Sequence, residues 1–165
     1  MEQGHQGLGG MSADMMRHHY RMLGLNLLVS LVVMYFVMFT MIYSLGEFFN
    51  NLNMFYMAVM MAAPMGILML LMMGEMYADK RLNTIIYAGC ALLFILAFAG
   101  MRTQALVGDR QFLRSMIPHH SGAILMCGQA SIKDPELKSL CGNIITSQKQ
   151  EIDQMKAMLA RQAPD

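Results

Sequence analysis

Three apolar stretches dominate the first hundred residues of the chain. They run from about Leu23 to Leu45, from about Met54 to Met73 with the element continuing to Met76, and from about Thr84 to Met101. None of the three runs carries a charged side chain. At about 1.5 Å per helical residue each is long enough, or nearly so, to cross a hydrocarbon core of roughly 30 Å. The pattern predicts three membrane-spanning helices over residues 23–101. After Met101 the periodicity changes. Asp109 is placed to cap a helix reaching about Ser131, and Lys133-Asp134-Pro135-Glu136 supplies a turn with Asp134 as the next cap and Pro135 at the first helical position. Beyond it Leu137, Cys141, Ile144, Gln148, Ile152, Met155 and Leu159 recur at steps of three and four, an amphipathic stripe, with Lys149 and Asp153 on the outer face. The expected fold is all-α: three transmembrane helices followed by an exported helical hairpin over residues 102–165. Two helices bury too little surface to stand alone. The hairpin must dock on its own spans or on a second copy, and a homo-oligomer is expected.

The flanks give the expected orientation. Arg17 and Arg21 precede the first span, Lys80 and Arg81 lie in the second loop, and the first loop has Glu47 and no basic residue. The positive-inside bias puts the amino terminus in the cytoplasm of a bacterial inner (plasma) membrane and the hairpin outside. Arg102, Arg110 and Arg114 oppose this, but they belong to a longer domain where the bias counts for less. The first apolar run is too long for a cleavable signal and no small-residue site follows it, so it reads as an uncleaved anchor. Residues 1–22, with Gly4, Gly7, Gly9 and Gly10, read as an amino-terminal tail.

Composition then narrows the chemistry. The chain has 165 residues, 56% of them hydrophobic and 14% charged, which is too apolar for an ordinary soluble domain. A net charge of +1 without a basic block excludes nucleic acid as a partner. Twenty-two methionines exceed what gap-filling requires. The densest chemistry lies in Met116-Ile-Pro-His119-His120-Ser-Gly-Ala-Ile-Leu-Met126-Cys127. On a helix Met116, His119, Ala123 and Met126 share one stripe, with His120 and Cys127 on the next. Thioether, thiolate and imidazole donors suit Cu(I) and its mimic Ag(I), whereas Mg²⁺ and Ca²⁺ want oxygen. Pro118 reads either as an early residue of the helix or as a kink freeing the Arg114 carbonyl. Cys127 and Cys141 lie on opposite arms of the hairpin and are either a disulfide or copper thiolates; Cys90 reads as a small buried hydrophobe.

Secondary candidates follow the same logic. In the second span Met54, Met57, Met61, Met65, Met69, Met72 and Met76 keep one face, either as apolar packing or as a thioether ladder for Cu(I). Met15, Met16, His18 and His19, with His5 and Met11 upstream, echo the main motif near the amino terminus. Glu151 and Gln148 on the last helix are placed to orient a ligand histidine, with Asp109 in the same supporting role. No nucleophile elbow, phosphate loop or HExxH occurs, and the Glu-x-x-His pairs of di-iron bundles are missing. The chain is therefore not expected to be an enzyme or to carry an organic cofactor.

The run Asp109-x-x-Phe112-x-x-x-Met116-Ile-Pro-His119-His120-x-x-Ala123-Ile-x-Met126 resembles the signature of the domain of unknown function 305 family. The run Ile145-x-x-Gln148-x-x-Glu151-Ile152-x-x-Met155-x-x-x-Leu159 is similar to that family's closing helix, and together the two cover residues 102–162. The resemblance implies ferritin-like helical packing and copper or silver binding, with Met116, His119, His120, Met126 and Met155 as the expected ligands. Many members carry the motif pair twice in a soluble protein, whereas here it occurs once beside membrane spans. The expected function is Cu(I) or Ag(I) binding for copper tolerance or handling. The alternatives are copper transport along the second-span ladder and a structural membrane protein that holds no metal.

Overall fold

The computed structural model describes residues 13–162 and is helical throughout, with no strand among the described residues. Helix α1 covers Ala13–Val37, α2 Leu52–Met72, α3 Lys80–Thr103, α4 Asp109–Gln129 and α5 Pro135–Arg161, with short 3₁₀ turns at Met38–Met41 and Leu45–Glu47 between α1 and α2. Three segments, Asp14–Met41, Leu52–Met72 and Lys80–Thr103, are long and apolar enough to cross a membrane.

The helix starts follow local capping. Asn51 accepts the Met54 amide at 2.9 Å, Asp79 accepts the amides of Arg81 and Leu82 at 3.0 Å, and Asp134 accepts that of Leu137 at 2.8 Å ahead of Pro135. Two starts differ from expectation. Helix α1 begins at Ala13, so residues 13–22 continue the first span as helix and are not a separate tail. Nothing from Asp14 to Met22 breaks a helix, and apolarity marks only the part of it that is greasy. Helix α4 is capped by Gly108, with Asp109 as its first residue, exposed and contributing favourably to the helix dipole rather than as a cap. Pro118 lies inside α4, so the helix does not begin there.

Helix α2 is the middle element, packed against both α1 and α3. Its closest-packed face is a run of small residues, Ala58, Ala62, Ala63 and Gly66, ending in Leu70. Small side chains let helix backbones approach where no hydrophobic effect separates helix from lipid. A Cβ on Gly66 would meet Cys90 Sγ of α3 at 3.0 Å and Leu27 Cδ1 of α1 at 3.1 Å, so all three helices converge there. Gly100 of α3 meets the Tyr56 ring in the same way, at 3.1 Å from a built Cβ. The ladder methionines 57, 61, 65 and 69 each precede a residue of the small or buried stripe, about 100° around the helix. They therefore flank the helix contact instead of filling it.

Antiparallel order sets the two ends. At one end Tyr20 donates from its hydroxyl to Asn83 Oδ1 at 2.6 Å, and Leu23, Leu70 and Tyr77 form a buried cluster. At the other end lie the 38–51 connection and the hairpin. The hairpin core is Leu113, Ile117, Ile124, Ile152 and Met155, with Phe49 of the connection packed against it. The dock is thus on the chain's own span ends. A polar tether completes it: Ser121 Oγ donates to Glu47 Oε2 at 2.5 Å and accepts the Tyr43 amide at 2.6 Å, while Glu47 also accepts the Ser44 amide at 3.2 Å. Lys156 Nζ of α5 lies 3.7 Å from Glu47 Oε1.

The link from α3 to α4 holds two non-glycine residues at positive φ, Gln104 at 52° and Leu106 at 61°. Gln104 is compensated by side-chain bonds to Asn53 and the Met101 carbonyl. Leu106 is 84% exposed and gains little from its side chain. A left-handed L-residue costs about 1 kcal/mol, so Leu106→Gly should raise stability by about 0.5–1 kcal/mol. Thermal unfolding in detergent reads this, and an unchanged or lower midpoint counts against it.

Candidate functional site

The amphipathic spacing of α4 and α5 brings the motif residues to one hairpin but sorts them into distinct environments. Met155 is 9% exposed in the hairpin core, and Met116 packs against that same core. Both thioethers sit among aliphatic side chains, where methionine fills space well. His120 is buried too. Its Nδ1 lies 2.8 Å from the Met116 carbonyl and its Nε2 lies 2.7 Å from Glu151 Oε2. A carbonyl can only accept, so Nδ1 carries the hydrogen and donates it. The Nε2 side is then shared with the carboxylate, which Gln148 Nε2 also approaches, at 3.3 Å. Both ring nitrogens are thus engaged, so a metal at Nε2 would have to displace the half-buried Glu151 carboxylate.

His119 and Met126 are the exposed members. Met126 is 55% exposed, and Phe112, 51% exposed, continues the same stripe one heptad earlier. The His119 and His120 rings are edge-on with centroids 6.1 Å apart. Met116, His119 and His120 thus fall within one turn, a core thioether, an exposed imidazole and a hydrogen-bonded imidazole. Cys127 and Cys141 form a disulfide joining the arms, with Cα atoms 5.2 Å apart, so neither offers a thiolate in this state. Asp109 stands at the exposed start of α4, two turns and more from His119 and on the loop side of the motif.

The remaining candidates lie elsewhere. His18 and Met15 are exposed on the first turns of α1, Met16 is half-buried, and His19 Nδ1 lies 3.2 Å from the Met76 carbonyl. They occupy the opposite end of the spans from the hairpin. His5 and Met11 lie outside the described residues. In α2, Met57, Met65 and Met69 are half-buried and Met61 is 43% exposed. Among the described residues no group of three or more His, Cys, Asp or Glu side chains is arranged to hold a cation. The donor set of α4, two imidazoles with Met116 and Met126 on neighbouring stripes, fits a soft monovalent ion and does not fit an oxygen-seeking one.

Sequence reasoning missed Glu47, Ser121 and Lys156 as a unit. One signal was present: Ser44-x-x-Glu47 is a capping-box spacing, and both of its hydrogen bonds form.

Comparison with known proteins places this geometry. A family model described as Domain of unknown function (DUF305) matches residues 97–159, which spans the end of α3, all of α4 and most of α5. An uncharacterised protein of Acanthamoeba polyphaga mimivirus is 36% identical over 118 residues, covering 70% of this chain and 76% of the viral protein. No solved structure matches. With the histidine pair and the closing helix on one hairpin inside the matched span, the chain belongs to the domain of unknown function 305 family.

Proposed function

We propose that this is a membrane-anchored protein that binds Cu(I) or Ag(I) through the α4–α5 hairpin and serves copper tolerance or handling. The observation that carries the reading is the placement of Met116, His119 and His120 within one turn of α4, with His120 Nδ1 held on the Met116 carbonyl and Nε2 facing the Glu151 carboxylate that a metal would displace. His119 is the entry donor because it is exposed. His120 is buried at the next position of α4, Met116 and Met155 belong to the hairpin core, and Met126 extends the exposed soft donors along α4. A bound soft ion would supply a charge centre that thioethers tolerate and water competes for weakly. In this reading the spans hold the hairpin at the membrane surface, outside the cytoplasm by the distribution of Arg17, Arg21, Lys80 and Arg81.

The test is anaerobic Cu(I) competition against a chromogenic chelator, using the full chain in detergent. His119→Ala and His120→Ala should each weaken binding by about tenfold or more. Unchanged affinity in both histidine variants would sink the site. If the wild type binds no Cu(I) at all, the structural reading stands instead. If affinity instead follows Met61, Met65 and Met69→Leu, the ladder of α2 is the binding element.

A further inference from the structure

Arg114 is, with Asn53 and Gln162, one of the described residues that hold a buried side-chain polar atom without a partner, and it alone of these carries a charge. Its Nε is buried and has no hydrogen-bond partner, and no carboxylate pairs with it among the described residues. A partly buried guanidinium without an anion is uncommon, because desolvating the charge is costly. Arg114 lines a cavity of about 260 Å³ where the end of α1, the start of α2 and α4 meet.

The neighbouring polar groups share one bias. Gln111 Oε1 accepts the Leu52 amide at 3.2 Å, which leaves only the NH₂ of Gln111 to offer. The Tyr35 hydroxyl accepts the Asn51 amide at 3.2 Å, so its own hydrogen goes to Asn50 Oδ1 at 3.3 Å. Asn50 is then likewise left with its NH₂. A backbone donor fixes the Gln111 amide directly and the Asn50 amide through the Tyr35 hydroxyl. The cavity therefore presents a guanidinium and two amide NH₂ groups, each amide oxygen already accepting one bond. Such a set recognises an anion, and a planar fork with several N–H groups suits phosphate.

Two of the residues lining the cavity, Leu52 and Phe55, are apolar. Phe55 also lines a second, wholly apolar groove of about 370 Å³ over α2 between α1 and α3. From Tyr35 the α1 wall continues one turn down to Leu31 and then Leu28; from Phe55 the α2 wall continues to Val59 and Ala63. A donor-rich pocket at the span ends, sharing Phe55 with an apolar groove that descends along the spans, matches a phosphate carrying an acyl chain.

We propose that Arg114, Gln111 and Asn50 bind the phosphate of an anionic phospholipid whose acyl chain lies in the α1–α3 groove, fastening the hairpin to the spans. The inference rests on the spans crossing a membrane, which fractionation of the full chain with membranes checks separately, and it is independent of metal binding. The experiment is native mass spectrometry of the delipidated full chain in detergent, with phosphatidylglycerol, chain-matched phosphatidylcholine and inorganic phosphate as probes. The wild type should retain one phosphatidylglycerol in preference to phosphatidylcholine. Arg114→Gln should weaken that retention about tenfold. Gln111→Glu keeps the acceptor for the Leu52 amide, so it tests the same contact even where Arg114→Gln does not fold, and it should show a similar loss. Val59→Trp, which fills the groove, should weaken phosphatidylglycerol and leave inorganic phosphate unaffected. Equal retention of phosphatidylglycerol by wild type and Gln111→Glu overturns the site. Equal retention of phosphatidylcholine overturns the anion preference. Stabilisation by inorganic phosphate equal to that by phosphatidylglycerol, with Val59→Trp silent, overturns the lipid in favour of a free phosphate anion.

Discussion

Glu47→Ala should destabilise the full chain by about 3 kcal/mol, mostly because the buried Ser121 hydroxyl loses a charged acceptor, with the part-buried Ser44 amide adding less. Glu47 is 8% exposed and Ser121 is fully buried, so water does not replace the lost carboxylate without opening the dock. Removing the carboxylate orphans the Ser121 hydroxyl and the Ser44 amide and dissolves the capping box before the 38–51 connection enters α2. The Lys156 contact adds little, because its side chain is 36% exposed and the separation is 3.7 Å. Glu47→Gln keeps one acceptor oxygen and should cost roughly half as much. The consequence is local before it is global: the hairpin loosens from the span ends while α4 and α5 stay joined by their disulfide and core. Limited proteolysis of the 104–108 link, alongside thermal unfolding in detergent, measures both effects. A Glu47→Ala protein that unfolds at the wild-type temperature and resists cleavage equally would show that the tether holds nothing. A Glu47→Ala, Ser121→Ala double variant should lose less than the sum of the singles, since each removes the same bond.

Gly66→Leu should be at least as damaging, at about 3 kcal/mol, by forcing apart three helices at their closest point. Gly66→Ala should cost only about 1 kcal/mol, because a methyl meets the movable ends of Cys90 and Leu27 at 3.0 and 3.1 Å rather than backbone. Leucine has no such room on either side. Cys90 gives a direct reading, since it is buried and, with Cys127 and Cys141 joined, is the free thiol of the chain. In Gly66→Leu its maleimide labelling rate should rise by about tenfold or more as the helices separate, tracking the stability loss. Slow labelling in Gly66→Leu, with an unchanged unfolding midpoint, would mean that the small-residue face does not set the packing of the spans.

The spans and the hairpin were legible because their signals are local. Unbroken apolar runs and the Asp134-Pro135 start depend on neighbours within a turn or two, and α2, α3, α4 and α5 follow them closely. The start of α1 was not legible, because a helix need not be apolar to continue and Asp14 to Met22 holds no breaker. The candidate site was half legible. Spacing put Met116, His119, His120 and Met126 on one helix, and Glu151 and Gln148 were placed beside the histidines as orienting groups. Spacing did not say that His120 would be buried with both ring nitrogens engaged while His119 stayed exposed. That division is decided by where α5 crosses α4 and by which side the 38–51 connection covers. The α2 methionines show the same limit: a shared face is a one-dimensional fact, and whether it points at a neighbour is not.

By itself, then, the sequence determined the all-helical fold, three apolar helices long enough to span a membrane, and a hairpin rich in soft donors, because periodicity and capping act over a few residues. Only the tertiary structure decided that Ala62 and Gly66, not the ladder methionines, form the helix contact, that Cys127 and Cys141 are joined, and that Glu47 reaches Ser121 across 74 positions of sequence. Such choices depend on which surfaces meet, and close approach, desolvation and hydrogen-bond satisfaction are settled between segments that the order of residues does not bring together.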